Sequence, residues 1–186
     1  MKYVLILLLF AVGRTPAPAQ SRRDIAERHI KSVRIRNEAQ RKKGLRVETT
    51  FQRYDKDGNV TERIEYDADS TITHWERTQY NAKGDEVLQE RLDSAGAVIR
   101  KTVTEYDRDG HETQRVVYDR TGAVREREVT EYNQFGDKVR VTVFGKDGSV
   151  EEKTEYEYDN KAMLKTRRQY NKAGELVETR TYTYEY

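Results

Sequence analysis

Pairs of carboxylates two residues apart are the first candidates for chemistry in this sequence of 186 residues. Asp55 and Asp57 form one pair, and Asp107 and Asp109 form another. Ca²⁺ prefers oxygen ligands of this kind, so both pairs are candidate calcium ligands. The alternative, which we favour, is that the first Asp caps a turn and the second faces solvent, because related segments carry Lys or Ala in place of the second Asp.

The tyrosines form a second group of candidate functional residues. Tyrosine rings present broad apolar faces that suit sugar rings, and arginine donates to hydroxyls, so Tyr flanked by Arg is typical of glycan-binding surfaces. The candidate ligand-binding residues are Tyr66, Tyr80, Tyr106, Tyr118, Tyr132, Tyr158, Tyr170, Arg100 and Arg140. The alternative, which we favour, is that these rings pack on one another to hold a thin sheet together.

Catalytic patterns are scarce. Two carboxylates suffice to hydrolyse a glycoside, and Glu62 and Glu76 are expected to be cross-strand neighbours. Glutamate is so abundant that chance supplies such pairs, and the three histidines are scattered. The sequence holds no metalloprotease, nucleophile-elbow or nucleotide-binding motif, and it contains no cysteine. We therefore expect no enzyme and no cofactor, with a carboxylate-dependent glycan hydrolase as the alternative.

An internal repeat positions all of these residues. A five-residue segment recurs in which an aromatic residue or Leu is most often followed by Asp or Asn, two variable residues and Gly, as in YDKDG at 54–58 and YNAKG at 80–84. The segments begin at 54, 66, 80, 92, 106, 118, 132, 144, 158 and 170. The steps alternate between 12 and 14, so two successive steps make one full repeat.

The repeat predicts a series of β-hairpins. Asp or Asn at the start of a type I turn accepts a backbone N–H, and Gly then adopts the left-handed conformation. Stretches rich in Val, Thr, Tyr, Arg and Glu without proline separate the turns, as is typical of strands. We predict an all-β, antiparallel up-and-down meander of about 10–11 strands built from 26-residue double hairpins. A curled single-layer sheet is favoured, with a loosely closed barrel as the alternative.

The tyrosines are expected to share one face of this sheet. Both repeat steps are even, and every tyrosine after residue 19 has an even number. Side chains of a strand alternate between faces with a period of two. If each turn pairs residues in the way that joins Tyr54 to Val60 and Tyr66 to Ile72, parity is kept and all the rings lie together.

Residues 1–19 have the pattern of a secretory signal peptide. Lys2 supplies the positive start, an apolar stretch of ten residues spans 3–12, and Ala17-Pro18-Ala19 is a cleavage site of the small-x-small type. We predict a secreted, periplasmic or cell-surface protein with no transmembrane segment after cleavage. Loss of Lys2 and Arg14 with this segment leaves 33 basic against 33 acidic residues. This balance argues against a nucleic-acid partner.

Residues 20–43 form a basic segment ahead of the repeat domain at 44–186. Nine Lys or Arg stand against three acidic residues, a net charge of +6. The segment suits a short helix around Asp24 or a first strand over His29–Arg36. Its function is either that of an arm for an acidic surface or that of a leader that covers the first strand.

The phrases YDKDGNV, YDRDG and YDRTGAV resemble the YD repeats of bacterial RHS-type surface proteins. They are also similar to secreted bacterial proteins that carry only such repeats, and the resemblance covers roughly residues 40–186. It implies an extended, curling β-sheet and, for some RHS proteins, carbohydrate binding. The chain is too short to form the shell that RHS proteins build around a toxin, so that function is not carried over.

Together these observations predict an exported, non-enzymatic repeat module that acts as a binding or structural scaffold in the cell envelope or outside the cell. The expected partner is an envelope protein or a glycan, with strand addition at the C-terminal edge of the sheet. A Ca²⁺-stabilised surface module is a further alternative.

Overall fold

The computed structural model describes residues 21–41 and 44–185, so the predicted signal peptide and Tyr186 lie outside the described residues. One helix precedes twelve strands. Their bounds are α1 (Arg22–Glu27), β1 (Ser32–Arg41), β2 (Gly44–Tyr54), β3 (Val60–Tyr66), β4 (Ile72–Tyr80), β5 (Glu86–Leu92), β6 (Val98–Tyr106), β7 (Glu112–Asp119), β8 (Val124–Tyr132), β9 (Lys138–Gly145), β10 (Val150–Tyr158), β11 (Leu164–Asn171) and β12 (Leu176–Thr181).

The twelve strands form one antiparallel sheet in sequence order. Each strand pairs with the strand before it and the strand after it, while β1 and β12 each have a single neighbour in the described part of the chain. The prediction of a single-layer meander is therefore confirmed, and the closed barrel is wrong. Eleven of the strands come from the repeat region, and β1 comes from the basic segment.

The hairpin turns have the predicted chemistry. In the first of them the N–H of Gly58 donates to the carbonyl of Asp55 at 3.2 Å. Oδ1 of Asp55 accepts the N–H groups of residues 57 and 59, both at 2.9 Å. Gly58 has a φ of +79°, and Ser70 and Ala162, which replace glycine in two copies, are also left-handed at +61° and +59°.

Each hairpin of the repeat also contains a β-bulge, which the sequence analysis did not anticipate. Tyr54 pairs with Val60 as expected, but Arg53 pairs with Glu62, so Thr61 has no partner of its own. The same shift occurs in all ten hairpins from β2–β3 to β11–β12. A bulge sets two residues of one strand against one residue of its neighbour. A given face of the sheet therefore carries even-numbered residues in one strand and odd-numbered residues in the next.

The reversal defines two faces of the sheet. Beyond each bulge, face A carries the even-numbered residues of even-numbered strands and the odd-numbered residues of odd-numbered strands, and face B carries the others. The prediction that all tyrosines share one face is therefore wrong. The repeat steps of 12 and 14 are even, so equivalent residues keep even numbers. The extra residue at each bulge shifts the alternation of side chains by one, so even-numbered residues fall on opposite faces in successive strands.

The core of this single layer is thin. Ile64, Leu92 and Val116 are buried on face B. Face A instead buries a row of polar residues of small or medium size: Gln52, Thr78, Thr104, Thr130 and Thr154. Four members of this row, from Gln52 to Thr130, are each separated by one full repeat, so the row follows the repeat.

The basic segment forms both of the elements that were considered for it. Ser21 caps α1 through a capping box with Asp24, and Ile25 beneath the helix is 2% exposed. Nε of Arg22 donates to the carbonyl of Asp57 at 3.1 Å, which docks α1 on the turn between β2 and β3. β1 then follows and pairs with β2.

Candidate binding surfaces

Five tyrosine hydroxyls on face A join neighbouring hairpins. Each donates to the carbonyl of the residue 20 positions earlier, at 2.8 to 3.0 Å. The pairs are Tyr80 with Val60, Tyr106 with Glu86, Tyr132 with Glu112, Tyr158 with Lys138, and Tyr184 with Leu164. Every accepting residue begins the strand after a turn, immediately before the bulge. The hydroxyls thus satisfy carbonyls where the ladder is interrupted.

The hydroxyls of these tyrosines therefore have a structural role. Burial raises the pKa of Tyr80, Tyr106, Tyr132 and Tyr158 above the ordinary value, and nearby carboxylates add to the effect. A phenol with a raised pKa stays protonated to a higher pH, so the donor that the carbonyl needs is kept in alkaline solution as well. Four of the seven candidate ligand-binding tyrosines have this role.

The remaining candidate tyrosines, Tyr66, Tyr118 and Tyr170, lie on face B. Nζ of Lys101 lies 5.8 Å from the ring centroid of Tyr118, and Nζ of Lys153 lies 4.4 Å from that of Tyr170. These are cation–π contacts between paired residues of adjacent strands. Arg100 belongs to face A and Arg140 to face B, so the nine candidate residues do not form one site.

Arg100 lines a polar depression of about 500 Å³ on face A. Glu86, Glu112 and Arg115 also line it, and Nη2 of Arg115 donates to Glu128 at 3.0 Å. Burial raises the pKa of the Glu86 carboxyl, and the charges of other glutamates, Glu112 among them, raise it further. This depression is where glutamates come together on the sheet.

The carboxylate pair expected at Glu62 and Glu76 is not formed. Glu62 pairs with Arg77 and Glu76 pairs with Arg63, so the two glutamates lie on opposite faces. The bulge between β3 and β4 is the cause. Oε1 of Glu62 accepts from Nε of Arg77 at 3.2 Å and from the indole N–H of Trp75 at 3.0 Å, so its charge is compensated by neighbouring donors.

The candidate calcium ligands lie in turns. Both oxygens of Asp55 accept hydrogen bonds within its own turn, which lowers its pKa despite partial burial, and Asp57 is exposed. Asp107 and Asp109 together with His111 place three potential ligand atoms within 4.8 Å of one another. Oδ1 of Asp107 accepts three backbone N–H groups, and Oδ2 lies 3.0 Å from Nδ1 of His111. Capping therefore occupies most of the lone pairs of Asp107.

Face A carries an aromatic surface at its C-terminal end, of which only Tyr158 is among the predicted ligand-binding residues. We define the C-terminal aromatic surface as Phe135, Tyr156, Tyr158, Tyr182 and Tyr184. Phe135 at the tip of the β8–β9 turn is 80% exposed, and a groove of about 720 Å³ runs along Phe135, Tyr156 and Tyr158. Tyr156 and Tyr182 occupy the repeat positions that hold Gln52, Thr78, Thr104 and Thr130 earlier in the chain. Comparison of equivalent repeat positions would have found them.

The last strand, β12, presents an open edge. Leu176 and Val177 are 54% and 57% exposed. The N–H of Tyr182 donates to the carbonyl of Lys165 at 3.0 Å, so even-numbered residues here bond to β11. Beyond the bulge, alternate residues of an antiparallel ladder point the other way, so the N–H groups of Thr179 and Thr181 face outward.

Among the described residues, no helix has the length and apolar character needed to cross a membrane.

No known protein family matches the sequence, and no curated protein matches it either. Solved structures do match the sheet. They include a porin-like protein from Bacteroides uniformis (13% identity over 83% of this chain and 56% of that chain, TM-score 0.40) and a protein of unknown function from Bacteroides fragilis (14%, 84% and 96%, TM-score 0.35). A third is the Photorhabdus luminescens Tc holotoxin pore (11%, 82% and 11%, TM-score 0.30). The chain is similar to these proteins in forming a large antiparallel β-sheet, and the similarity concerns the fold alone.

Proposed function

We propose that the protein is an exported, non-enzymatic scaffold that binds a glycan or a protein in the cell envelope or outside the cell. The C-terminal aromatic surface is the observation that carries this proposal. Tyr156 and Tyr182 stand where the repeat otherwise has Gln or Thr, and neither makes the hydroxyl-to-carbonyl bond of the structural tyrosines. Because their hydroxyls do not close the carbonyls of the sheet, Tyr156 and Tyr182 are the tyrosines that we propose for contact with a partner.

The chemistry around these rings suits recognition. Arg167 lies opposite Tyr156 on face A and hydrogen-bonds to it, and Nη1 of Arg167 donates to Glu178 at 2.7 Å. Aromatic residues and arginine are enriched in the energetically dominant parts of interfaces. The same combination offers flat apolar faces and polar groups to a sugar.

Two features of the sequence support export of the protein and its membership of a class of repeat proteins. The signal pattern of residues 1–19 supports export. The YD-type phrases support membership of the repeat proteins that RHS-type surface proteins exemplify, and for some of those proteins the resemblance implies carbohydrate binding. The experiment for export is N-terminal sequencing of the protein from cell fractions. Gln20 as the first residue is expected, and an intact Met1 in the cytosol would contradict export.

Binding is tested on a glycan array and by capture from envelope extract. The double change Tyr156→Thr with Tyr182→Thr restores the residue of earlier repeats, so the fold is retained and binding should fall about tenfold or more. Tyr118→Thr on face B is the matched control and should bind as the wild type does. Equal binding by all three proteins would contradict the proposal.

A glycan hydrolase is the second candidate, and the depression on face A favours it. Glu86 has a raised pKa, which suits an acid, and Glu112 lies near it as a carboxylate base. Reducing-end release from polysaccharides is the assay. Turnover that Glu86→Gln abolishes would replace the scaffold proposal, and no turnover by the wild type would remove this candidate.

A Ca²⁺-stabilised module is the third candidate, because Asp107, Asp109 and His111 converge in one turn. Thermal melting with Ca²⁺ and with chelator tests it. A rise in melting temperature that Asp109→Asn removes would support a calcium site, and a melting temperature that does not respond to Ca²⁺ would reject it.

A further inference from the structure

Both edges of the sheet offer unpaired backbone groups on alternate residues. On β12 these groups belong to Thr179 and Thr181, which lie beyond the bulge. On β1 the N–H of Tyr54 donates to the carbonyl of Lys31, so odd-numbered residues bond to β2 and the even-numbered ones, including Arg34 and Arg36, face outward. Within the described ranges no strand covers either edge.

The outward-facing residues of the two edges lie on the same face of the sheet, so their hydrogen-bonding patterns match. The outward-facing residues of β12 are odd-numbered and lie on face B, and those of β1 are even-numbered and also lie on face B. Twelve strands are an even number, so β1 of a second copy in the same orientation would run antiparallel to β12. Such a strand would satisfy the open hydrogen bonds and continue both faces at once.

The repeat also fixes the register. In the sheet Arg53 pairs with Glu62. Thr183 occupies the repeat position of Arg53 five full repeats later. Arg34 has the place of Glu62 in the sheet, because Arg34 pairs with Phe51 as Glu62 pairs with Arg77 one full repeat later. Thr183 of one copy would then stand opposite Arg34 of the next, and Arg180 opposite Asn37.

Charge favours the pairing of β12 with β1 over the pairing of two β1 strands or of two β12 strands. Residues 31–41 carry four basic residues and one acidic residue, whereas residues 175–185 carry three acidic residues and one basic residue. Neighbouring strands within the sheet are joined by the same Arg–Glu contacts, such as Arg115 with Glu128 at 3.0 Å. Two β1 strands, or two β12 strands, would set like charges together.

We propose that copies of this chain assemble head to tail, with β1 of one copy added to the edge of β12 of the next. This inference deepens the proposed scaffold function by naming a second copy as the partner of that edge. The two contacting surfaces differ, so the interface is heterologous, and because each copy still presents both edges the assembly grows as an open chain.

Sedimentation of the exported protein over a range of concentrations is the first test. The wild type is expected to rise above the mass of one chain. Thr179→Pro removes an outward N–H that β11 does not use, so it should sediment as a monomer and keep its β-sheet circular dichroism. Thr179→Val keeps the N–H and should assemble as the wild type does. A monomeric wild type, or assembly by the proline variant, would overturn the proposal.

Disulfide trapping tests the register, because the chain contains no native cysteine. Arg180 and Asn37 would form a non-hydrogen-bonded pair, with Cα atoms about 4.5 Å apart, within the range of a disulfide. A mixture of Arg180→Cys and Asn37→Cys proteins should yield a cross-linked pair. Arg180→Cys with Glu38→Cys, on the other face, should not. Cross-linking of Arg180→Cys only to itself would show β12 pairing with β12 and would overturn the inference.

Glycan or protein capture by the Thr179→Pro monomer reports separately on the proposed function.

Discussion

Removing one tyrosine hydroxyl from face A should destabilise the protein by a predictable amount. In Tyr106→Phe the ring remains, but the hydrogen bond of 3.0 Å to the carbonyl of Glu86 is lost. The net contribution of such a bond is about 1 kcal/mol. For a chain of this size that loss lowers the melting temperature by about 2–4 °C. Urea unfolding followed by circular dichroism measures the change in the free energy of unfolding directly.

Tyr118→Phe is the matched control. Tyr118 lies on face B, where its ring contacts Lys101, and Phe keeps a ring for that contact. Its free energy of unfolding should change by less than about 0.5 kcal/mol, as is usual away from special contacts. The reasoning is refuted if Tyr106→Phe unfolds at the same urea concentration as the wild type, or if both changes cost the same.

Five further changes test other parts of the structure. Ala162→Gly should stabilise the protein by about 1 kcal/mol, because Ala162 is left-handed at a φ of +59° and Gly adopts this conformation without strain. Gly122→Ala, at a φ of +83° with open space around it, should cost about 1–2 kcal/mol, and Gly58→Ala should cost more because its Cβ would also meet the backbone of α1. Glu86→Gln should stabilise the protein at pH 7 and not at pH 3: burial raises the pKa of Glu86, so the wild type loses stability as pH rises through that pKa. Asp107→Asn should keep the turn and lessen the loss of stability in acid: hydrogen bonds, first from the N–H of His111, lower the pKa of Asp107, so its contribution is present above the unfolded pKa of about 3.9 and is lost as pH falls through the folded value.

The same urea titrations, repeated at pH 7 and pH 3, measure all of these effects. Equal losses for the two glycine variants would contradict the docking of α1 on the β2–β3 turn. A Gln variant at position 86 that is less stable at pH 7, or an Asn variant at position 107 as acid-sensitive as the wild type, would contradict the corresponding electrostatic argument.

The turns could be predicted because their chemistry is local. Asp55 and Gly58 lie three residues apart, and together they specify a turn that needs no other part of the chain. The regular spacing of the turns then orders the strands without ambiguity. Residues 20–43 lack the repeat, so their composition suits a short helix around Asp24 or a strand over 29–36, and the structure has a helix and a strand in this segment.

The faces could not be predicted because they depend on pairing between strands. Thr61 has no partner in the ladder, and nothing in its own side chain or in its neighbours distinguishes it from a paired residue. One unpaired residue per hairpin is enough to separate Tyr106 from Tyr118, although both have even numbers. The role of Tyr106 was likewise hidden, because its partner is a backbone carbonyl in another hairpin.

The reversal of faces at each bulge is the central claim, and nuclear Overhauser contacts of the Tyr118 ring test it most directly. In the structure Tyr118 pairs with Lys101, so its ring protons should show strong contacts to the side chain of Lys101 and none to that of Thr102. A sheet that kept parity would place Tyr118 on the face of Thr102 and Tyr106. Strong contacts from the Tyr118 ring to Thr102, and none to Lys101, would contradict the account.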